Sequence, residues 1–125
     1  MNTPANPEPT RLRLRIVFGE DAMLGPGKAE LLEHIRATGS ISAAGRAMKM
    51  SYKRAWMLVD AMNTTFNAPL VDSTRGGPNG GGAVLTEAGD TVLACYRRIE
   101  ARVAEAAARE IATLNAMLRD IPHGK

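Results

Sequence analysis

The sequence predicts a mainly α-helical fold with a small β wing, followed by a long C-terminal helix. Residues 40–66 contain two short helical stretches separated by a tight joint, and each stretch follows a serine that suits a helix N-cap. Residues 69–85 then read as two short strands around a glycine-rich loop, the pattern of a hairpin. Helix, turn, helix and hairpin in this order predict a winged helix-turn-helix.

The composition indicates one modest domain with a slight basic excess. The chain has 125 residues, and 16 Lys plus Arg against 13 Asp plus Glu give a net charge of +3. Cys95 is the sole cysteine, which excludes an intramolecular disulfide and fits a reducing compartment. No stretch approaches the roughly 20 apolar residues that span a bilayer, and the N-terminus lacks the pattern of a signal peptide. We therefore expect a cytoplasmic protein with no membrane partner.

The N-terminal region predicts a disordered arm and then a strand. Residues 1–10 contain three prolines among small polar residues. Residues 11–18 alternate between apolar residues and arginines, as in a half-buried strand. The basic face of this strand is either a solvated sheet edge or a contact for a phosphate or a partner. Residues 19–25 read as a loop.

Three helices are predicted between residues 26 and 65. The first runs over residues 26–38, with proline at its start and Gly39 as its stop. The second covers residues 43–48, capped by Ser40 or Ser42, and its small residues allow another helix to approach closely. The third follows the N-cap candidate Ser51 and extends to about residue 65.

The third helix has a predicted core face and a predicted free face. Counting about 100° per residue separates the two faces. The core face consists of Ala55, Leu58, Val59, Met62 and Phe66, and the free face of Lys53, Met57, Asp60 and Thr64. The first turn is therefore exposed while the far end is anchored, which is how helix-turn-helix proteins present their second helix to DNA bases.

Several side chains near this first turn are candidate DNA contacts. Lys53 and Arg54 lie off the core face, and Arg46 and Lys49 flank the turn, where we expect phosphate contacts. Tyr52 either contacts DNA or supports the helix against its neighbour. Trp56 is expected to pack at the edge of the core.

A long helix is predicted after Thr86, which suits an N-cap. It spans residues 87–119, roughly 50 Å in length. The apolar residues that recur at helical spacing are Val92, Tyr96, Ile99, Val103, Ala107, Ile111, Leu114 and Leu118. A domain of this size covers only the first half of the helix, so the apolar residues of the second half predict a partner, most simply the same helix of a second chain.

Three motifs carry a resemblance to a known family. SYKRAW at residues 51–56, DAMN at residues 60–63 and GGGAVLT at residues 80–86 are similar to the amino-terminal domain of ModE-type molybdenum-responsive transcription regulators. That domain is itself similar to the DNA-binding heads of LysR-type regulators. The resemblance covers residues 12–118 and implies a homodimer held by the long final helix, with the first strand and its Leu14 near the interface. It also implies that paired recognition helices read an AT-rich palindrome in double-stranded DNA.

The resemblance assigns roles to individual residues. The start of the recognition helix would be Ser51, Tyr52, Lys53 and Arg54, where Arg54 replaces a residue that is commonly small. The DNA contacts of the wing would be Arg75, Gly76, Gly77 and Asn79. Arg75 suits the narrow minor groove of A·T-rich DNA. The oxyanion-binding region of the full-length regulators would begin where this chain ends, so the resemblance does not support molybdate binding by this chain, and we expect no cofactor.

Other chemistries find little support in the sequence. The glycine loop fits neither the GxGxxG template nor a nucleotide-binding P-loop. Cys95, His34 and His123 lack zinc-site spacing, and we interpret Met48 and Met50 as core residues rather than copper ligands. No histidine is placed to activate a nucleophile, so we expect neither a metal site nor an enzyme.

The sequence thus predicts a sequence-specific transcription regulator that binds a palindromic operator as a homodimer. The expected organisation is an arm (1–10), a winged helix-turn-helix domain (11–86), a dimerisation helix (87–119) and a tail (120–125). Three alternatives stay open. In the first, the chain is an unregulated DNA binder controlled by its abundance. In the second, it is a mixed-dimer partner of a full-length molybdate-responsive regulator. In the third, it is a direct metal sensor that uses Cys95, His34 or methionines.

Overall fold

The computed structural model of the protein describes residues 10–74 and 82–119. The elements in chain order are β1 (Ile16–Val17), β2 (Met23–Leu24), α1 (Pro26–Thr38), α2 (Ile41–Ala47), α3 (Tyr52–Thr65), β3 (Val71–Thr74), β4 (Gly82–Leu85), α4 (Glu87–Ala106) and α5 (Ala108–Ala116). β1 pairs with β2 and β3 pairs with β4, both antiparallel and in separate sheets. The mainly α-helical winged helix-turn-helix is confirmed.

Local capping sets most helix ends where the sequence predicts them. Gly39 adopts a left-handed conformation (φ 72°) and its N–H donates to the Ile35 carbonyl at 2.8 Å, which ends α1. The Ser51 hydroxyl accepts from the Arg54 N–H at 3.0 Å and begins α3. The predicted start of α2 was wrong by two residues, because Ser40 rather than Ser42 is the cap.

The N-terminal strand is shorter than predicted. The predicted burial alternation over residues 11–18 is present up to Ile16, but only Ile16–Val17 pairs with another strand. Its partner β2 lies inside residues 19–25, where the sequence predicts only a loop. Before Ile16 the backbone is held by a side chain instead, since the Tyr96 hydroxyl donates to the Leu14 carbonyl at 2.6 Å.

The core lies between α1, α3, the wing and the start of α4. Its largest fully buried side chains are Leu31, Leu32, Ile35, Val59, Met62, Leu70 and Tyr96. The predicted core face of α3 is confirmed, because Ala55, Val59 and Met62 are buried and Leu58 and Phe66 pack against the core. Tyr96 corrects a prediction: it is 0% exposed within its own chain, so it offers no surface to a second chain.

An ion pair between an arginine on α4 and a glutamate on α1 connects the two helices. The Arg97 guanidinium donates to both carboxylate oxygens of Glu33, at 2.9 and 2.6 Å, and to Glu100 at 2.7 Å. The hydrogen bond from Arg97 lowers the pKa of the Glu33 carboxyl, and hydrogen bonding to Glu33 raises the pKa of Arg97. This two-point contact fixes the direction in which α4 leaves the domain.

The predicted continuous final helix is interrupted. Ala107 has a non-helical conformation (φ −100°, ψ 10°) and separates α4 from α5, which ends at Ala116. The interruption costs little backbone hydrogen bonding, since the Ile111 N–H still donates to the Ala107 carbonyl at 2.9 Å. Beyond it, the hydroxyl of Thr10 donates to the Asn115 side chain at 2.5 Å, so α5 contacts the N-terminal segment.

A glycine in the first turn of α4 gives a stability prediction. A Cβ added at Gly89 would lie 2.2 Å from the Leu70 carbonyl oxygen, which accepts a hydrogen bond from the Thr86 N–H at 2.9 Å. We expect Gly89→Ala to lower the free energy of unfolding by about 1–3 kcal/mol, because the wing must move away from α4. Chemical denaturation measures the change.

The matched control for this prediction is Gly27→Ala. Gly27 is also in the first turn of a helix, but no atom lies within 4 Å of an added Cβ. Its substitution is expected to leave stability unchanged or raise it by up to about 1 kcal/mol. Equal stability of the two variants would contradict the close approach of α4 and the wing.

Candidate nucleic-acid interface

The joint between α2 and α3 is a tight turn built on backbone hydrogen bonds. The N–H groups of Met48 and Met50 donate to the Gly45 carbonyl at 3.1 and 2.9 Å, and the Lys49 N–H donates to the Arg46 carbonyl at 3.0 Å. A Cβ at Gly45 would lie 3.0 Å from the Ala55 Cβ, so the small residues of α2 do permit the close helix approach that the sequence predicts. Met48 and Met50 pack against the core, as expected.

Lys49 lies in this turn with φ 60°, a left-handed conformation that favours glycine. It is the only non-glycine residue with positive φ in the part of the chain that the structure describes. A non-glycine residue in this conformation lowers the stability of the fold. The presence of a lysine here is therefore better explained by a role in binding than by a role in folding.

The first turn of α3 is exposed and basic. Ser51, Tyr52, Lys53 and Arg54 are all exposed, and this turn contains no acidic residue. The predicted free face of the helix is confirmed, because Lys53, Met57, Asp60 and Thr64 are exposed. The core face of the same helix, where Ala55, Val59 and Met62 are buried, holds this turn in place.

We use the term basic surface for four exposed side chains at the turn and the start of α3: Arg46, Lys49, Lys53 and Arg54. Arg46 donates to the Ser42 hydroxyl at 3.0 Å. Within residues 10–74 and 82–119, Lys49, Lys53 and Arg54 form no salt bridge with a carboxylate. Their charges are therefore available to an anionic ligand such as the DNA backbone.

Tyr52 and Trp56 form an aromatic pair at this end of the helix. Their ring centroids are 6.2 Å apart and their planes meet at 66°, an edge-to-face contact. Trp56 is partly buried against the core, as predicted, whereas Tyr52 is 62% exposed. Tyr52 thus contacts its neighbour and still presents most of its ring to solvent.

The stem of the wing is attached to the end of α1. The Ala83 N–H donates to the Gly39 carbonyl at 2.9 Å, and Thr74 pairs with Gly82 where the hairpin leaves the domain. The predicted wing contacts Arg75, Gly76, Gly77 and Asn79 lie outside the described residues, as do residues 1–9 and the tail from residue 120. The structure therefore fixes the position of the stem relative to α1.

The proposed dimer contacts divide into two groups. Ile99, Val103, Leu114 and Leu118 have exposures of 38%, 38%, 63% and 62%, and we call these four residues the apolar stripe. Leu14 and Val92 instead pack partly buried against the core of their own chain, and Ala107 and Ile111 are also partly buried. Sequence reasoning missed Met117, which is 75% exposed on the turn after α5 and follows Leu114 by three residues.

The described residues form neither a metal-binding cluster nor a membrane-spanning helix. Among residues 10–74 and 82–119, no group of three or more His, Cys, Asp or Glu side chains is close enough to hold a metal ion. No helix in these ranges is sufficiently long and apolar to cross a membrane. Cys95 is exposed on α4 with a free thiol.

The conformation of Lys49 gives a prediction that separates stability from binding. At this left-handed position we expect Lys49→Gly to be more stable than Lys49→Ala by up to about 1 kcal/mol, because only glycine adopts it without strain. Both variants are expected to bind DNA equally weakly, since both lose the same cation. Thermal unfolding and DNA titration of the two proteins measure these effects. An affinity equal to that of the unaltered protein would show that Lys49 contacts no phosphate.

Comparison with known proteins places this geometry in a family. Residues 27–90 match the family model described as bacterial regulatory helix-turn-helix protein, lysR family. The chain is 51% identical over 84 residues to the molybdenum-pterin-binding protein MopB of Rhodobacter capsulatus, covering 67% of this chain and 31% of the relative. It is 36% identical over 91 residues to the transcriptional regulator ModE of Haemophilus influenzae, covering 73% and 36%.

A shared fold is also found among solved structures. Full-length CbnR, solved in complex with its target DNA, superposes with a TM-score of 0.53 at 20% identity, over 69% of this chain and 28% of that one. The chain thus spans about a third of the length of the relatives that it matches. It belongs to the LysR family of bacterial regulatory helix-turn-helix proteins.

Proposed function

We propose that the protein regulates transcription as a homodimer that occupies a palindromic operator in double-stranded DNA. Each chain inserts the start of α3 into one major groove, and the wing reaches the flanking DNA. Occupancy of the operator changes access of the transcription machinery to the site. The observation that carries this proposal is the exposed, basic first turn of α3, a helix whose core face is buried in the domain.

The basic surface supplies contacts of two kinds. Arg46 and Lys49 lie at the turn, where they meet phosphates, and these contacts fix the position of the protein without reading sequence. Lys53 and Arg54 lie on the helix itself, where long cationic side chains reach the acceptor atoms of guanine in the major groove. Arg75, Gly76, Gly77 and Asn79 remain proposed wing contacts on the flanking DNA.

The apolar stripe supports the dimer. Ile99 and Val103 on α4, Leu114 on α5 and Leu118 just after it are exposed apolar side chains, and a second copy covers them by placing the same segment against them. Burial of the surface that remains exposed stabilises the pair by about 1–2 kcal/mol for each leucine and by about 0.5–1 kcal/mol for Ile99 and for Val103. Two chains related by a two-fold axis place their recognition helices about one DNA turn apart, which requires an inverted repeat in the operator.

A mixed dimer is the second candidate, since the same stripe would also accept the corresponding helix of a related regulator. The relatives that this chain matches are about twice as long, and their names include molybdenum transport protein and molybdenum-pterin-binding protein. In such a mixed dimer, the partner subunit contributes the response to molybdate, and this chain contributes one of the two recognition helices. Co-purification of a tagged copy with such a regulator would favour it.

Selection from a library of randomised duplexes tests the proposed function. The homodimer is expected to enrich an inverted repeat whose half-sites are centred about 10 base pairs apart. Enrichment of a single asymmetric site would contradict the palindrome. No enrichment by the isolated chain, together with enrichment when a related full-length regulator is added, would favour the mixed dimer.

A further inference from the structure

The free face of α3 carries an apolar depression beside the basic surface. Its lining consists of Tyr52, Lys53, Trp56, Met57 and Asp60. Met57 is 57% exposed and Tyr52 is 62% exposed. A single exposed apolar side chain is ordinary, but here two of them adjoin a partly buried tryptophan and form one continuous patch.

Folding does not explain why Met57 is apolar. It lies on the side of α3 opposite to Val59 and Met62, and it is absent from the residues that pack against the core. Leaving this side chain exposed gives up the stabilisation that burial of a methionine provides. A ligand that covers Met57 would recover that stabilisation in the bound state.

The surrounding charges indicate which ligand this is. Lys53 precedes Met57 by one helical turn and Arg54 adjoins it, while Asp60 lies three residues further along the helix, about 4.5 Å along its axis. A polyanion is therefore attracted to the first two turns of α3 and repelled beyond them. The major groove of DNA combines this negative potential with one apolar group, the 5-methyl group of thymine.

We propose that Met57 determines specificity by packing against the 5-methyl group of a thymine in each half-site of the operator. The inference rests on the proposed function and adds the base that this position reads. Lys53 and Arg54 hold the helix in the groove, and the Tyr52–Trp56 pair forms one wall of the depression that receives the methyl group. A methionine suits this role because its flexible thioether adapts to the shape of its contact.

The test replaces each thymine of the selected duplex by deoxyuridine, which keeps every hydrogen-bonding group and removes only the methyl. Burial of one methyl corresponds to about a fourfold change in affinity, so loss at both symmetric positions is expected to weaken binding about 15-fold. Met57→Gln, with a polar side chain of similar length, is expected to bind the thymine and deoxyuridine duplexes equally. Met57→Leu is expected to retain the preference for thymine.

Each other outcome overturns the inference in a recognisable way. If the protein binds the selected duplex and no thymine methyl matters, the proposed function stands and the role of Met57 is wrong. If one methyl matters equally for the unaltered protein and for Met57→Gln, another residue reads it. If no duplex is bound at all, the proposed function fails and this inference fails with it.

Discussion

The double substitution of Val103 and Leu114 by glutamate is expected to convert the protein into a monomer and to reduce its affinity for the palindrome at least about 100-fold. Both residues belong to the exposed apolar stripe, at 38% and 63% exposure. The two substituted positions contribute four side chains to the dimer, worth about 0.5–1 kcal/mol for each Val103 and about 1–2 kcal/mol for each Leu114, and the glutamates would instead bury unpaired charges. Loss of the dimer also removes the gain from binding two half-sites at once.

Sedimentation measures the oligomeric state in this experiment, and anisotropy of a labelled duplex measures the affinity. The control is Ala94→Glu with Ala112→Glu, which adds the same charge at exposed positions of α4 and α5 outside the stripe. The control is expected to stay dimeric and to lose affinity only through its added negative charge. A Val103→Glu, Leu114→Glu protein that remains dimeric would place the interface elsewhere.

The double substitution Lys53→Ala with Arg54→Ala is expected to weaken binding to the selected duplex at least about 100-fold, because each dimer loses four cations from the major groove. Neither side chain lies on the core face and neither has a salt-bridge partner among the described residues, so the unfolding temperature is expected to stay the same. The dependence of affinity on salt concentration distinguishes the contacts. Removal of a side chain that binds phosphate reduces the salt slope, whereas removal of a base contact changes the preferred sequence.

The control for this variant is Arg98→Ala with Arg102→Ala, which removes the same net charge from exposed positions on α4. If affinity depends only on total charge, the two double variants will bind equally. We expect the α4 variant to keep most of its affinity, because its charges lie outside the proposed contact. Early unfolding of the Lys53→Ala, Arg54→Ala protein would contradict the assignment of the helix faces.

The sequence predicted those features that depend on neighbouring residues. The N-caps Ser51 and Thr86 and the stop at Gly39 are local signals, and each lies where the structure uses it. The faces of α3 follow from helical spacing alone, and the structure confirms them. The two-residue difference at α2 arose because Ser40 and Ser42 are equally good caps when only their neighbours are considered.

Features that depend on distant residues escaped prediction. Helical spacing places Tyr96 on the apolar side of α4, but it does not distinguish burial in the same chain from burial against a partner. That distinction depends on a hydrogen bond from Tyr96 to Leu14, 82 residues away in sequence. The break at Ala107 has no glycine or proline signal, and α5 contacts the N-terminal segment through Asn115.

The sequence predicts which side chains form the candidate site, but not how those side chains are arranged. The sequence shows that Lys49 follows α2, yet lysine carries no signal for the left-handed conformation that it adopts. Met57 was assigned to the free face, but the depression beside it depends on how the rings of Tyr52 and Trp56 meet. Such arrangements arise from packing around the helix.

The most direct test of the central proposal is the number of chains bound to one operator. Sedimentation of the protein with the selected palindrome, and with a duplex that contains a single half-site, gives this number for each. We expect two chains on the palindrome, and much weaker binding to the single half-site. One chain bound to the palindrome, with the same affinity for both duplexes, would contradict a dimeric reader of a palindromic operator.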